Sequence, residues 1–226
     1  MIVMLGLAAL PVTPAMAAST GLASPISCSS ATWTNPNDAI SSNNVRATAG
    51  GDGNQLACSF NLPAIPAGNS IVGIEVTVEG TGSSSRDVFV DLSWDAGNSY
   101  TGGDAFVNLG GTEQVYTVGG TTDTWGRTWD VGDFTAANFR VRVYNDGDSG
   151  TSSIDHVQVN VHYFPSYTIT AIAGAGGTIT PSGAVNVVEN SNQSFDITPN
   201  TSFIVADVVV DLASVGRANA HTFTNV

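Results

Sequence analysis

The sequence has no lysine, and its basic residues are six arginines set against 19 acidic residues, which gives a formal net charge of −13. Proteins that bind the phosphate backbone of nucleic acids depend on lysine and arginine for affinity, and so do proteins that dock on anionic lipid. The composition therefore argues against both kinds of partner. Charged residues amount to only 11% of the chain, so solubility must come largely from Ser, Thr, Asn and Gly, which suits turn-rich β structure.

Hydrophobic runs long enough to span a bilayer as a helix are also missing. The nearest approach is the apolar segment from Met1 to Leu10, which is too short. Ala15-Met16-Ala17 then matches the small-x-small cleavage site of an export signal, although no Lys or Arg precedes the apolar segment. We therefore predict a signal peptide at residues 1–17, an N-terminal arm at 18–30, and a secreted, extracellular or cell-surface protein without a membrane span.

Cysteine is scarce as well, with Cys28 and Cys58 alone in the sequence. In an exported chain these two are expected to form a disulfide. Closing a loop of this length would stabilise the fold by about 3–4 kcal/mol in the chain-entropy model. The alternative is a pair of buried free thiols.

Two segments in the middle of the chain alternate apolar and polar residues with a period of two. In the first, Phe139, Val141 and Val143 share one face, with Arg140, Arg142 and Tyr144 on the other. Residues 154–163 follow the same rule. Such alternation is typical of strands that are buried on one side and exposed to water on the other. Because a Gly/Asp/Ser-rich turn separates the segments, we predict that they form an antiparallel pair.

Turn residues recur at regular spacing along the rest of residues 31–164, and short alternating segments lie between them. Strands are predicted at 45–48, 55–62, 71–79, 88–94 and 113–118. This pattern predicts an all-β fold, an antiparallel β-sandwich of the jelly-roll kind. After a boundary at 165–166, residues 167–226 predict a second, smaller β domain, with strands at 167–173, 185–188, 193–198, 203–210 and 221–226.

The first domain resembles a jelly-roll module of bacterial surface proteins and phage structural proteins. The resemblance depends on scattered matches in the right order: Trp33-Thr34-Asn35-Pro36, Ile65-Pro66-Ala67-Gly68, Ile71-Val72-Gly73-Ile74-Glu75-Val76, Trp125-Gly126-Arg127-Thr128-Trp129, Asn138-Phe139 and Asp155-His156-Val157. It implies a structural or binding role, and jelly-roll modules often bind carbohydrate through exposed aromatic residues.

Residues 167–226 resemble the B-repeat of internalin-type bacterial surface proteins. The matching segments are Tyr167-Thr168-Ile169-Thr170, Gly176-Gly177-Thr178-Ile179-Thr180-Pro181-Ser182-Gly183, Phe195-Asp196-Ile197-Thr198-Pro199-Asn200, Ala206-Asp207-Val208-Val209-Val210-Asp211 and Thr222-Phe223-Thr224-Asn225-Val226. This family implies a small β-grasp-like module that serves as a spacer or adhesion element. Leu212 departs from the family pattern, which has a glycine there, and the family continues into one more strand.

A sheet that lacks its last strand exposes unpaired backbone groups, which a strand from another chain could satisfy. We therefore predict self-association into fibres, or contact with other surface proteins, by strand addition. The apolar N-terminal arm of a neighbouring copy is one candidate for the added strand. The function predicted from this is a secreted, non-enzymatic structural or adhesive surface protein. The alternative is a carbohydrate-binding module that holds polysaccharide.

No catalytic residues are predicted. Glu75 and Glu79 share a strand face, but four residues of strand separate them by roughly 13 Å. Paired carboxylates in glycosidases lie within roughly 5–9.5 Å of each other. Asp155 and His156 are adjacent on a strand and so point to opposite faces.

Two low-specificity binding sites remain as predictions. Asn145, Asp146 and Asp148 place oxygen ligands on one loop, which makes calcium the one cofactor worth considering; the same residues also dominate ordinary turns. Trp125 and Trp129 lie near a turn, where they would serve either as ligand-binding rings or, more commonly, as core residues.

Overall fold

The computed structural model describes residues 2–6, 17–83, 86–102, 105–146 and 150–226. Within these ranges the chain is all-β, mostly antiparallel, and its helical content is limited to two short 3-10 turns, Pro36–Ala39 and Val131–Phe134. The strands are β1 (Ile2–Gly6), β2 (Ala18–Ser19), β3 (Pro25–Ser29), β4 (Ala47–Gly50), β5 (Gln55–Phe60), β6 (Ser70–Gly82), β7 (Arg86–Ser93), β8 (Ala105–Leu109), β9 (Gln114–Gly120), β10 (Arg140–Asp146), β11 (Thr151–Phe164), β12 (Ser166–Ile172), β13 (Gly177–Thr180), β14 (Gly183–Val188), β15 (Gln193–Pro199), β16 (Asp207–Val210), β17 (Ala213–Gly216) and β18 (Ala220–Phe223).

The chain divides into two compact units. The sandwich unit contains residues 17–67 and 71–163. The C-terminal unit contains residues 164–226 together with 68–70 and strand β1. Each unit has its own cluster of buried apolar side chains.

The sandwich unit consists of two sheets whose inner faces share one core. The first sheet has the strand order β3-β5-β10-β7-β8, and the second has the order β2-β11-β6-β9, with β4 also paired to β11. Every second residue of a strand points inward, as the sequence alternation predicts. Both sheets contribute to the buried cluster, for example through Leu56, Val90, Val141, Ile74 and Val159.

The prediction that residues 139–144 and 154–163 pair with each other is wrong. Strand β10 lies between β5 and β7 in the first sheet, whereas β11 lies in the second sheet beside β6. The end of β10 and the start of β11 therefore belong to different sheets. Alternation identifies which face of a strand is buried, but two strands of opposite sheets bury their faces against the same core and show the same pattern.

Cys28 and Cys58 form the predicted disulfide. They are direct cross-strand partners on β3 and β5, and both are buried. The disulfide is compatible with a secreted protein, because such bonds persist in oxidising compartments.

The C-terminal unit also packs two sheets against each other. One has the order β14-β12-β1-β16-β17 and the other has the order β13-β15-β18. Its core combines side chains from both sheets, including Ile169, Val187, Val208, Phe195 and Phe223.

Strand β1 comes from the predicted signal segment and occupies an interior position of its sheet. It pairs antiparallel with β12, with Met4 opposite Ile172, and parallel with β16, with Val3 opposite Val208. Residues 7–16, which include most of the predicted cleavage site, lie outside the described residues. Across the described ranges the chain forms no helix with the length and apolar character of a membrane span.

Candidate functional site

The sandwich unit has an open cleft of about 540 Å³ beside the edge strands β8 and β9. These two strands are the last strands of the two different sheets, and the chain passes directly from one to the other. The residues that line this edge cleft are Thr101, Gly102, Ala105, Phe106, Thr117, Val118, Gly119, Asp123, Trp125 and Gly126. The cleft therefore combines aromatic rings with hydroxyl and carboxylate groups.

Trp125 is held in the cleft by both of its N–H groups. The indole Nε1 donates to the backbone oxygen of Ile74 at 2.8 Å, and the backbone N–H donates to Oδ1 of Asp123 at 2.8 Å. The residue has a left-handed backbone, with φ of 56°. Because the polar atom of the ring already has its partner within the protein, the partly exposed ring offers only apolar surface to a ligand.

Gly119 makes the close approach of Trp125 to β9 possible. Its φ is 72°, and a Cβ at this position would lie 2.2 Å from the backbone oxygen of Ile74 and 2.7 Å from Nε1 of Trp125. Both the backbone conformation and the available space therefore demand glycine here. The position of the tryptophan ring depends on this residue.

Phe106 forms the other aromatic wall of the cleft, and 59% of its surface is exposed. It lies on β8, where Val107 and Leu109 point into the core and Phe106 points outward. Contiguous exposed apolar patches, rather than single exposed residues, mark binding surfaces, and Phe106 shares one cleft with the ring of Trp125. Strand β8 is not among the strands that alternation predicts, and Phe106 is not among the predicted site residues.

The polar groups of the cleft are hydroxyls and a carboxylate. Asp123 and Thr117 are exposed, and Oγ1 of Thr101 accepts a hydrogen bond from the backbone N–H of Leu92 at 3.1 Å. Among the described residues that line the cleft, Asp123 is the one ionisable group. The cleft is therefore suited to a polar ligand that has no strong negative charge.

Trp129 lies in the core, although the sequence offers it as a second ligand-binding ring. Its side chain is only 5% exposed, and Nε1 donates to the backbone oxygen of Thr124 at 2.8 Å. The ring packs against Trp94, Phe134 and Phe139 at centroid distances of 5.3–6.2 Å. A ring enclosed in this way has no face to offer a ligand, so the role of Trp129 is packing.

Arg127 completes this aromatic cluster. Its guanidinium lies 3.9 Å from the ring centroid of Trp94 and 4.7 Å from that of Trp129, and it pairs with Asp133 at 2.8 Å. The Trp-Gly-Arg-Thr-Trp segment therefore contributes one ring to the cleft and one ring, with its cation, to the core.

The three residues named for calcium have different surroundings. Asn145 is 1% exposed; Nδ2 donates to the backbone oxygen of Gly51 at 3.2 Å, and Oδ1 accepts from Ser152 at 2.7 Å. Its amide therefore stabilises the fold from within and is not an open cation ligand. Asp146 is exposed at the end of β10, and Asp148 lies outside the described residues.

A cluster of three carboxylates that the sequence does not predict lies at the second sheet. Oxygens of Glu79, Glu113 and Asp155 come within 4.8 Å of one another, which is close enough for ligands of one cation. Arg46 pairs with both oxygens of Glu113, at 2.7 and 2.6 Å, and this bond lowers the pKa of Glu113. The buried Asp155 accepts hydrogen bonds from the backbone at 43–44.

Two histidines, His156 and His162, lie on β11 of this sheet, and each has a polar partner. Nε2 of His156 is 2.9 Å from Oγ of Ser24, and burial lowers the pKa of His156 below its ordinary value. Nε2 of His162 is 3.4 Å from a carboxylate oxygen of Glu75. Glu75 on β6 therefore contacts the neighbouring strand β11.

No protein-family model matches the chain, and no curated protein sequence matches it either. Among solved structures, the chain is similar to TmCBM61, described as solved in complex with β-1,4-galactotriose. The two are 13% identical, the match covers 65% of this chain and 88% of that chain, and the TM-score is 0.32. A similarity at this TM-score supports no argument about the function of the chain.

Proposed function

We propose that the sandwich unit is a non-catalytic carbohydrate-binding module and that the edge cleft is its binding site. The observation behind this proposal is that the cleft brings Trp125 and the exposed ring of Phe106 together with hydroxyl and carboxylate side chains. Ligand sites typically combine apolar and aromatic walls with a few placed polar groups.

Sugars suit this combination because each ring has apolar C–H faces and a rim of hydroxyls. The C–H faces would pack on the rings of Trp125 and Phe106, while Asp123 and the threonines would form hydrogen bonds to the rim. A glycosidase needs two carboxyl groups on either side of the bond it cleaves. Among the described lining residues Asp123 is the one carboxylate, which favours binding over hydrolysis.

Affinity electrophoresis of the full chain tests this proposal. The gels would contain one neutral polysaccharide each: soluble cellulose derivative, xylan, galactan, mannan or β-1,3-glucan. We expect at least one to slow migration, and Trp125→Ala to abolish that effect. Phe203→Ala is the matched control, because Phe203 is an exposed ring of the C-terminal unit. Unretarded migration of the wild type through every gel would refute the proposal.

Export to the outside of the cell forms part of the same proposal. A polysaccharide ligand is most accessible there, and the buried disulfide and the signal-like N-terminal segment both agree with it. N-terminal sequencing of protein recovered from culture medium and from cells would test this. We expect extracellular protein that begins at Ala18, and retention of the intact chain inside the cell would contradict it.

A structural role by strand addition is the second candidate, and the placement of β1 is the observation that favours it. The backbone of Ile2–Gly6 pairs with β12 on one side and with β16 on the other. Export with cleavage before Ala18 would remove this strand and leave two unsatisfied edges. A strand from a second copy, or from another surface protein, could then enter the gap and build a fibre.

A chain that starts at Ala18 would test strand addition. We expect concentration-dependent oligomers by light scattering and filaments by electron microscopy. An added Ile2–Gly6 peptide with a solubilising tail should dissolve them by filling the gap, whereas a scrambled peptide should not. A monomer at high concentration that neither peptide affects would refute this role without bearing on carbohydrate binding.

A further inference from the structure

The aromatic wall of the edge cleft continues across the outer face of the first sheet. Phe106 on β8 is the cross-strand partner of Phe89 on β7, which is in turn the partner of Tyr144 on β10. The ring centroids of Phe106 and Phe89 are 6.3 Å apart, and those of Phe89 and Tyr144 are 5.4 Å apart. We call these three residues the aromatic row.

The aromatic row is not part of the core. Along β7 and β10 the valines at 88, 90, 141 and 143 point inward and are fully buried, whereas Phe89 and Tyr144 lie on the opposite face and are partly exposed. Phe106 belongs both to the row and to the cleft. The two features therefore form one continuous surface that runs from Trp125 to Tyr144.

Polar side chains flank the row on both sides. On one side, Nδ2 of Asn108 donates to Oδ1 of Asp87 at 2.6 Å. On the other, the guanidinium of Arg142 lies 4.8 Å from the ring centroid of Tyr144 and forms a salt bridge with the buried Asp91. Because Asp91 neutralises this cation, the described part of the surface presents amides, hydroxyls and carboxylates around rings, without a net positive charge.

We propose that the aromatic row extends the edge cleft into a binding surface for several consecutive units of a neutral polysaccharide chain. This inference depends on the proposed carbohydrate-binding function and specifies its ligand. The ring centroids along the row are 5.4 and 6.3 Å apart, and these spacings are of the same order as the advance per sugar unit in an extended glycan. Each ring of the row would therefore meet a successive sugar, with the cleft holding one end of the bound segment.

The charges and polar groups of this surface favour a neutral polysaccharide over an anionic polysaccharide and over a protein partner. An anionic polysaccharide would meet Asp123 and Asp87, and the cation that flanks the row, Arg142, is already paired with Asp91. The other arginine on this face of β10, Arg140, lies four residues from Tyr144 and donates to the backbone oxygens of residues 136, 137 and 139. A protein partner would need a continuous apolar centre, whereas a single row of rings between hydrogen-bonding groups fits a narrow, hydroxyl-rich chain.

The test compares variants of the full chain on whichever neutral polysaccharide gel retards the wild type. We expect Phe89→Leu and Tyr144→Ala each to weaken retention by about tenfold in apparent affinity. Phe89→Leu keeps an apolar side chain but removes the ring, so a loss of retention in a folded variant can be assigned to the loss of stacking. Tryptophan fluorescence would verify that each variant is folded. Phe203→Ala should migrate like the wild type.

Oligosaccharides of the same glycan provide a second measurement. A hexasaccharide should compete with the gel for the wild type at least tenfold better than a disaccharide, and Phe89→Leu should remove most of that difference. Polygalacturonate should not retard the chain.

Four results would overturn the inference. If only Trp125→Ala reduces retention, or if disaccharide and hexasaccharide compete equally, the site is confined to the cleft and the proposed function stands. If polygalacturonate binds as well as the neutral glycan, the assignment to neutral chains is wrong. If no polysaccharide retards the wild type, the proposed function and this inference both fail.

Discussion

Removal of the disulfide is the perturbation whose effect can be worked out most directly from the structure. Cys28→Ala and Cys58→Ala together would remove the bond between β3 and β5. The two cysteines are 30 residues apart, so the chain-entropy model gives a loss of about 3.6 kcal/mol in the free energy of unfolding. For a urea dependence of about 2 kcal/mol per M, this lowers the denaturation midpoint by about 1.8 M.

Intrinsic tryptophan fluorescence is the suitable assay because all four tryptophans lie in the sandwich unit. The signal therefore reports unfolding of the unit that contains the disulfide and is insensitive to the C-terminal unit. A reducing phosphine added to the wild type should reproduce the shift of the double variant. The same reductant should leave the double variant unchanged.

A shift of less than about 1 kcal/mol would refute this reasoning. It would mean that the denatured chain already holds β3 near β5 without the covalent bond, so that the bond removes little conformational freedom. A shift in the variant without a matching shift in the reduced wild type would point instead to the lost side-chain volume as the cause.

Three further predictions follow from other residues. Gly119→Ala should abolish polysaccharide retention as Trp125→Ala does, because its Cβ would displace the indole; a normal fluorescence spectrum with full retention would contradict this. Since burial lowers the pKa of His156, the unfolded state binds its proton more tightly. The free energy of unfolding should therefore fall as the pH drops below about 6.5, and urea denaturation of His156→Gln should show a smaller decrease. Phe195→Ala should lower the free energy of unfolding of the C-terminal unit by about 3–5 kcal/mol, because Phe195 lies in the core of that unit. Part of the far-UV circular dichroism should then be lost at a lower urea concentration, while the midpoint of the tryptophan fluorescence transition stays unchanged.

Alternation along the chain predicted the all-β class and the location of most strands. Residues 71–79, for example, lie within the strand that runs from Ser70 to Gly82. The same rule could not identify partners, which is why β10 and β11 were predicted to pair. Strand partners depend on which face of which sheet covers the core, and that is a property of the whole fold.

Strand β8 illustrates a different limit. Ala105–Leu109 is short, and Phe106 places an apolar ring on the face that should be polar, which masks the alternation. The residue that obscures the pattern also lines the cleft. That Phe106 is an exposed aromatic can therefore be recognised only once the strand is assigned.

The candidate site could be predicted only in part. The sequence offers Trp125 and Trp129 alike as ligand-binding rings or core residues. Trp125 lines the cleft, whereas Trp129, four residues later, packs in the core. These residues lie in an irregular segment, so no periodicity separates their environments. The carboxylates at 79, 113 and 155 come from distant parts of the chain. Their spacing along the sequence therefore does not predict that they lie close together in the fold.

The disulfide also has a mechanical consequence. Strand β3 is the outermost strand of its sheet, and under tension an outermost strand normally detaches one hydrogen bond at a time. Cys28 is bonded to Cys58. A force applied to the chain on the N-terminal side of β3 is therefore transmitted through the disulfide to β5, which is paired with a strand on each side. A load applied at this end would therefore have to shear an interior strand, and the molecule should resist stretching best in an oxidising environment.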